Sequence, residues 1–148
     1  MSLVFLDANI LIYLVEDHPE HAPVVGRLLR GMIARGDRIC TSSLVAGEII
    51  AGARIHGNMA LEEQYRGLLA TPGWTLLPFT DDTVSHFVEI RAMSGVKAPD
   101  AIHLACAAQA GVDVFLTHDR KLTRLHISGI GFIVGLQTDI FGTHDDPV

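Results

Sequence analysis

Short apolar segments typical of β-strands alternate along this chain with longer segments whose apolar residues recur at helical spacing. The apolar segments fall near residues 4–6, 38–41, 74–77, 112–117 and 127–134. Strands that alternate with helices favour a parallel sheet covered on both faces. The sequence therefore predicts an α/β fold, a three-layer α/β/α sandwich with a mostly parallel central sheet.

The length, net charge and cysteine content of the chain limit the class of protein. At 148 residues the chain is long enough for one domain with a single core, which we expect over residues 1–141, followed by a polar tail over residues 142–148. The net charge of −6 excludes a protein that binds nucleic acid through a generally basic surface. Cys40 and Cys106 match neither a disulfide framework nor a zinc site. No apolar segment reaches membrane-spanning length and the N-terminus lacks a secretory signal, so we expect a cytoplasmic protein with no membrane partner.

Two acidic residues lie at the ends of predicted strands. Asp7 directly follows the first strand, and Asp119 follows the fourth in the run Thr117-His118-Asp119. Ligands of open α/β sheets bind at the carboxyl ends of the strands, so both carboxylates are candidates for a site at that edge. Asp7 has an alternative role as a helix cap, because Asp is favoured at helix starts and a helix is predicted from about Asn9.

Two further acids lie on predicted helices. Glu48 lies in the middle of the helix over residues 44–55, on a line of apolar residues where an unpaired charge is costly to bury. A surface glutamate explains that pattern equally well. Asp100 follows Pro99 in the first turn of another helix, where the helix dipole stabilises its charge. Stabilising the start of that helix could be the whole role of Asp100. His103 comes one turn later, a position more typical of a packed histidine than of a ligand.

These four acids are expected to meet in one crevice, because helices that return after strands bring Glu48 back toward the edge that carries Asp7 and Asp119. Carboxylates that share a crevice repel one another, which raises the pKa of each. A divalent cation relieves the repulsion, and a site made of oxygen ligands favours Mg²⁺ or Mn²⁺. Asn9 and Thr117 are candidates to hold waters or to orient the acids.

Four segments carry a resemblance to a known family: LDANILI at residues 6–12, Ser42 with Gly47-Glu48, PDAIHLA at residues 99–105, and LTHDRKL at residues 116–122. In this order and within this length, they resemble PIN-domain ribonucleases, and in particular the small VapC-type toxins of toxin–antitoxin pairs. The resemblance implies a PIN-like fold. It also implies catalytic and metal-binding roles for four acids, with two residues in support: Asp7, Glu48, Asp100 and Asp119, then Asn9 and Thr117. One departure is His118, where many members have Asn.

The resemblance further implies an endoribonuclease that needs Mg²⁺ or Mn²⁺, hydrolyses RNA phosphodiester bonds and is inhibited by a small VapB-like antitoxin protein. We also expect a symmetric homodimer, since that is the commonest closed assembly. Four basic residues neighbour the acids in sequence and are candidates for binding RNA phosphates: Lys97, Arg120, Lys121 and Arg124. An ordinary solvated surface is the alternative for these four.

Other functions stay open from the sequence. One is an RNA-processing PIN nuclease without an antitoxin. Another is a catalytically inactive RNA-binding or scaffold domain, although the presence of all four acids argues against it. A phosphatase of the haloacid-dehalogenase type also has a strand ending in Asp, but that chemistry needs a second acid two residues later, where this chain has Asn9.

Overall fold

A computed structural model describes residues 1–137 and contains five strands in one sheet. They are β1 Leu3–Leu6, β2 Arg38–Ser42, β3 Trp74–Leu77, β4 Val114–Leu116 and β5 Phe132–Val134. In space the strands follow the order β3-β2-β1-β4-β5, and every neighbouring pair is parallel. The predicted α/β fold is confirmed. The expected polar tail over residues 142–148 lies outside the described residues.

Six α-helices and a short 3-10 helix at Asp81–Thr83 connect these strands. The α-helices are α1 Ala8–Val15, α2 Ala22–Arg35, α3 Ser43–Ile55, α4 Met59–Leu69, α5 Val84–Ser94 and α6 Ala98–Ala110. Within residues 1–137, each of these helices is too short or too polar to cross a membrane.

The strand order places the helices in two layers. From β1 the chain moves to β2 and then β3, and it returns past β1 to reach β4 and β5. Because such crossovers are right-handed, this reversal puts α1 to α4 on one face of the sheet and α5 and α6 on the other. Packing agrees, since α1 contacts α2, α3 and α4, whereas α5 contacts α6 most extensively. The predicted three-layer sandwich is therefore confirmed.

The central strand β1 anchors the core. Val4, Phe5 and Leu6 are completely buried, and β1 pairs with β2 on one side and β4 on the other. The rings of Phe5 and Phe115 on adjacent strands stack with their centroids 4.5 Å apart. This packing fixes the residues that follow β1 and β4 at the middle of the carboxyl edge of the sheet.

Two helix starts differ from what the sequence indicates. Pro19 is typical of the first turn of a helix, yet α2 begins at Ala22, because the Nδ1 atom of His18 accepts hydrogen bonds from the N–H groups of residues 20 and 21 and closes a turn. Asp81 and Asp82 resemble caps for the helix that follows. Instead, the N–H group of Thr80 donates to the Oγ1 atom of Thr83 at 3.0 Å, and Asp81 and Asp82 lie inside the 3-10 helix.

Candidate active site

The reversal of strand order between β1 and β4 creates a crevice at the carboxyl edge of the sheet. Open α/β sheets bind ligands at such a reversal point. Leu6 and Leu116 pair at the ends of the two strands, and the N–H group of Asp7 donates to the carbonyl oxygen of Leu116 at 3.0 Å. Asp7 and Thr117 are therefore the first polar side chains beyond the sheet on both sides of the crevice.

Asp7 is buried, with an exposed fraction of 6%, and both of its carboxylate oxygens accept hydrogen bonds. The Oδ1 atom accepts from the N–H group of Ala8 at 2.8 Å, so Asp7 is the N-cap of α1. The Oδ2 atom accepts from the Oγ1 atom of Thr117 at 2.7 Å. Burial raises the pKa of Asp7, the two hydrogen bonds oppose that rise, and the negative charge of Asp119 adds to it. Helix capping and membership of an acidic site thus coexist in one side chain.

Asn9 and Thr117 hold the segment after β4 in place. The Oγ1 atom of Thr117 accepts from the N–H group of Asp119 at 3.1 Å, and the Nδ2 atom of Asn9 lies 3.4 Å from the same oxygen. The Oδ1 atom of Asn9 accepts from the N–H group of His118 at 3.1 Å. Since Thr117 is completely buried, this network positions Asp119 relative to Asp7.

Asp100 is half-buried in the first turn of α6. Burial raises its pKa, and the charges of Asp7 and Asp119 raise it further, while His103 and Lys97 oppose the rise. Because the charges of Asp7 and Asp119 both act on Asp100, and that of Asp119 also acts on Asp7, the three carboxylates form one electrostatic group.

Glu48 contacts a buried histidine. Its side chain is 42% exposed, and its Oε2 atom lies 3.6 Å from the Nε2 atom of His103. The Nδ1 atom of His103 lies 2.9 Å from the Oγ atom of Ser42, which also accepts from the N–H group of Val45. Burial lowers the pKa of His103, whereas the charges of Glu48 and Asp100 raise it. His103 therefore links Glu48 to the group that contains Asp100.

The structure thus relates the four predicted acids in two different ways. Asp7, Asp100 and Asp119 interact directly through their charges, while Glu48 reaches Asp100 through His103. Among residues 1–137, no set of three or more His, Cys, Asp or Glu side chains is arranged closely enough to hold a metal ion. The donor set nevertheless fits a hard divalent cation in its chemistry, because it consists of carboxylate oxygens, the ligands that such cations prefer. The metal site stays a prediction.

The four predicted phosphate-binding residues are all exposed, namely Lys97, Arg120, Lys121 and Arg124. Lys97 is the N-cap of α6 and lowers the pKa of Asp100, which places its charge beside the acids. Lys121 donates its N–H group to the Oδ1 atom of Asp119 at 2.9 Å, so its side chain begins at the rim of the crevice.

Sequence reasoning missed a cluster of four rings beside Asp119, formed by Tyr13, His18, His21 and His118. The ring of His21 lies with its centroid 4.5 Å from those of both His18 and His118, and 4.6 Å from that of Tyr13. Burial, His21, Arg120 and His18 all lower the pKa of His118. The only sequence signals are the i, i+3 spacing of His18 and His21 and the departure at His118, and neither indicates that these parts of the chain meet.

A groove of about 450 Å³ lies between α1, α3 and α4, next to Glu48. Its walls are mostly apolar, and two acids interrupt them: Glu16 and Glu48. The Oε2 atom of Glu16 accepts from the hydroxyl of Tyr65 at 2.5 Å. Burial raises the pKa of Tyr65, and the hydrogen bond to Glu16 raises it further. The groove is thus an apolar surface with acidic groups at its edge.

The PIN domain family matches residues 4–127. The chain belongs to the PIN domain family. Solved structures similar to this PIN domain include the VapBC2 complex from Rickettsia felis bound to a DNA fragment from its promoter, with 17% identity, a TM-score of 0.74, and coverage of 90% of this chain and 98% of that one. A toxin–antitoxin complex from Klebsiella pneumoniae has 20% identity, a TM-score of 0.63 and coverage of 88% and 99%.

A third similar structure is VapBC-1 from nontypeable Haemophilus influenzae, with 20% identity, a TM-score of 0.59, and coverage of 92% of this chain and 99% of that one. At such identities the likeness establishes the fold of this PIN domain. No curated protein matches the chain significantly.

Proposed function

We propose that this PIN domain is a VapC-like endoribonuclease that hydrolyses RNA phosphodiester bonds with the help of Mg²⁺ or Mn²⁺. The observation that carries the proposal is the group of mutually repelling carboxylates at the β1–β4 reversal point: Asp7, Asp100 and Asp119. The pKa values of Asp7 and Asp100 are raised, and carboxylates with perturbed pKa values cluster at functional sites.

Asp7, Asp100 and Asp119 would hold the cation, and Glu48 would join them or act beside them. When bound, a cation of this class would supply polarisation of a phosphate oxygen and a lowered pKa for a water molecule. Thr117 and Asn9 keep Asp7 and Asp119 in position through their hydrogen bonds. A carboxylate not engaged with the cation, such as Glu48, is available to accept a proton from the attacking water.

A cleavage assay with and without added Mg²⁺ or Mn²⁺ tests this function. Cleavage of single-stranded RNA that needs the metal and is lost in Asp7→Asn and Asp100→Asn supports the proposal, and calorimetric titration of Mn²⁺ gives a second readout that does not depend on activity. Asp82→Asn is the matched control, because Asp82 is exposed on the 3-10 helix. Undiminished cleavage by both site variants would overturn the assignment.

We propose that a small VapB-like antitoxin inhibits this nuclease. The support is twofold: solved structures of similar fold are toxin–antitoxin complexes, and a mostly apolar groove between α1, α3 and α4 borders the site. An antitoxin segment would pack apolar side chains in the groove and direct an Arg or Lys toward Glu48 and the neighbouring carboxylates. Such a cation would replace the charge of the metal.

Co-expression with the small reading frame adjacent to the gene tests the partner. A stable complex whose RNA cleavage is suppressed supports the antitoxin. Gly52→Gln should weaken that complex without removing cleavage, because Gly52 lines the groove and has open space for an added side chain. The RNA-processing alternative is supported instead by active cleavage, no complex and no inhibition of growth. Binding of RNA without cleavage under any metal condition supports the inactive scaffold.

We further propose a cytoplasmic location and a homodimer. A nuclease restrained by a cytoplasmic partner must act where RNA and that partner meet.

For the homodimer, α5 presents exposed apolar side chains that a second copy could cover, among them Val84, Val88 and Met93. Sedimentation of the purified chain, compared with that of Val88→Glu, tests the dimer.

A further inference from the structure

The ring cluster of Tyr13, His18, His21 and His118 brings together three separate parts of the chain. Tyr13 belongs to α1, His18 and His21 belong to the turn before α2, and His118 follows β4. The rings of His18 and His21 are stacked, with centroids 4.5 Å apart and planes inclined by 19°. Tyr13 contacts all three histidines, at centroid distances of 4.9, 4.6 and 5.4 Å. All four residues are half-buried, so the cluster lies at the surface, with Tyr13 packed against the edge of the core.

The geometry of the cluster disfavours a transition-metal site. Imidazole binds a metal through a lone pair in the plane of the ring, and two nearly parallel stacked rings direct these lone pairs along separate planes. The Nδ1 atom of His18 is also engaged, since it accepts hydrogen bonds from the N–H groups of residues 20 and 21, each at 3.2 Å. That engagement leaves the proton of a neutral ring on Nε2, where it blocks ligation.

The cluster lies directly beside the proposed catalytic carboxylates. His118 immediately precedes Asp119, and its own N–H group is fixed by Asn9 at 3.1 Å. The ring of His118 contacts those of Tyr13 and His21, so the cluster extends from the crevice toward the start of α2. A nucleotide next to a phosphate bound in the crevice would therefore meet these rings.

We propose that Tyr13, His18, His21 and His118 form a stacking surface for an unpaired base of the RNA substrate, adjacent to the phosphate that is cleaved. The inference rests on the proposed nuclease function and names how that site holds its substrate. Proteins that bind single-stranded RNA stack its bases on aromatic rings, including histidine. Stacking also gives a chain with a net charge of −6 a source of affinity for RNA that does not depend on positive charge.

His21 is the best residue for a test, because it lies far in sequence from the acids and contacts the other three rings. It is the N-cap of α2, but its side chain makes no capping hydrogen bond, so its replacement should leave the helix intact. His21→Leu removes the aromatic face and keeps an apolar side chain, whereas His21→Phe keeps an aromatic face without nitrogen atoms. His126→Leu is the control, since His126 is exposed and lies beside residues of α5 and β5.

The measurement is fluorescence anisotropy of a labelled single-stranded oligoribonucleotide of mixed sequence, with the metal removed by EDTA and RNA integrity checked on a gel. His21→Leu should weaken binding about fivefold to a hundredfold, while His21→Phe and His126→Leu should stay within about twofold of the unchanged protein. An oligonucleotide with abasic positions should bind the unchanged protein and His21→Leu equally.

Three results would overturn the inference: no RNA binding by the unchanged protein, equal binding by His21→Leu and the unchanged protein, or equally weak binding by His21→Phe and His21→Leu. The last result would assign the role to an imidazole nitrogen instead of the ring face. Failure of the nuclease proposal is separate, because it would appear as absent metal-dependent cleavage while RNA binding still depended on the ring of His21.

Discussion

Asp7 has both of the roles that its position in the sequence suggests, as a helix cap and as a member of an acidic site. Its Oδ1 atom caps α1 and its Oδ2 atom accepts from Thr117, and each bond favours the charged carboxylate. Burial nevertheless raises its pKa. The capping hydrogen bond therefore helps to stabilise the buried carboxylate and fixes its orientation before any ligand binds.

Asp100 should destabilise the metal-free protein at neutral pH. Burial and the charges of Asp7 and Asp119 raise its folded-state pKa above the ordinary value of 3.8. An acid with a raised pKa costs no stability at pH values below the ordinary one, and the folded state loses stability as the pH rises through the folded-state pKa. Asp100→Asn should therefore raise the Tm at pH 7, with no gain at pH 3.

Thermal unfolding in EDTA, followed by circular dichroism at both pH values, checks this expectation, with Asp82→Asn as the control. Added Mn²⁺ should narrow the difference, because the cation stabilises the unchanged protein more than the variant. Equal Tm values for Asp100→Asn and the unchanged protein at pH 7 would contradict a destabilising charge on Asp100.

Thr117 should contribute through its hydroxyl group and not through its bulk. Its Oγ1 atom donates to Asp7 and accepts from the N–H group of Asp119, in a completely buried position. Thr117→Val has nearly the same shape but leaves both partners unsatisfied, which should cost about 1–3 kcal/mol in urea unfolding. Thr117→Ser keeps the hydroxyl and should cost less. If the two variants unfold at the same urea concentration, the hydroxyl group is not what matters.

At the scale of elements, the sequence predicted the features of the site that are set by residues close together along the chain. Asp7 and Thr117 are predictable as members of the carboxyl edge because each directly follows a strand, and strands of a parallel sheet end at the same edge. The link between Glu48 and His103 is not predictable, because it depends on how α3 packs against α6. The ring cluster is missed for a similar reason, since it requires the turn at residues 18–21.

Strand β5 should control the geometry of the site through β4. The N–H group of Thr117 donates to the carbonyl oxygen of Val134 at 3.0 Å, and Gly131 lies where β5 begins its approach to β4. A Cβ atom on Gly131 would clash with the carbonyl oxygen of Asp113, whereas Gly135 has ordinary space. Gly131→Ala should cost about 1–3 kcal/mol, as overpacking typically does, and should reduce cleavage along with stability.

Gly135→Ala is the matched control for this strand and should leave the free energy of unfolding almost unchanged. Chemical denaturation of the two variants side by side gives the comparison. A loss in Gly135→Ala as large as that in Gly131→Ala would mean that β5 tolerates no added side chain at all, and the specific contact with Asp113 would not be the cause.

At the scale of the whole molecule, the net charge of −6 conflicts with the polyanionic substrate that we propose. Few cations are available near the crevice, so few counterions should be released when RNA binds. Each phosphate contact on a single strand contributes a slope of about −0.7 to the plot of log affinity against log salt concentration. The four basic residues near the site therefore predict a slope no steeper than about −3 for metal-free binding.

Lys121→Ala should make that slope less negative by about 0.7 if Lys121 binds a phosphate, because one contact is then lost. Arg38→Ala is the control, since Arg38 is exposed at the amino end of β2, opposite to the crevice. Anisotropy titrations in EDTA between about 50 and about 200 mM KCl measure both variants. An unchanged slope in Lys121→Ala would support the solvated-surface alternative. A slope much steeper than about −3 in the unchanged protein would instead reveal a wider cationic face, and the substrate would then be held mainly by charge in spite of the acidic chain.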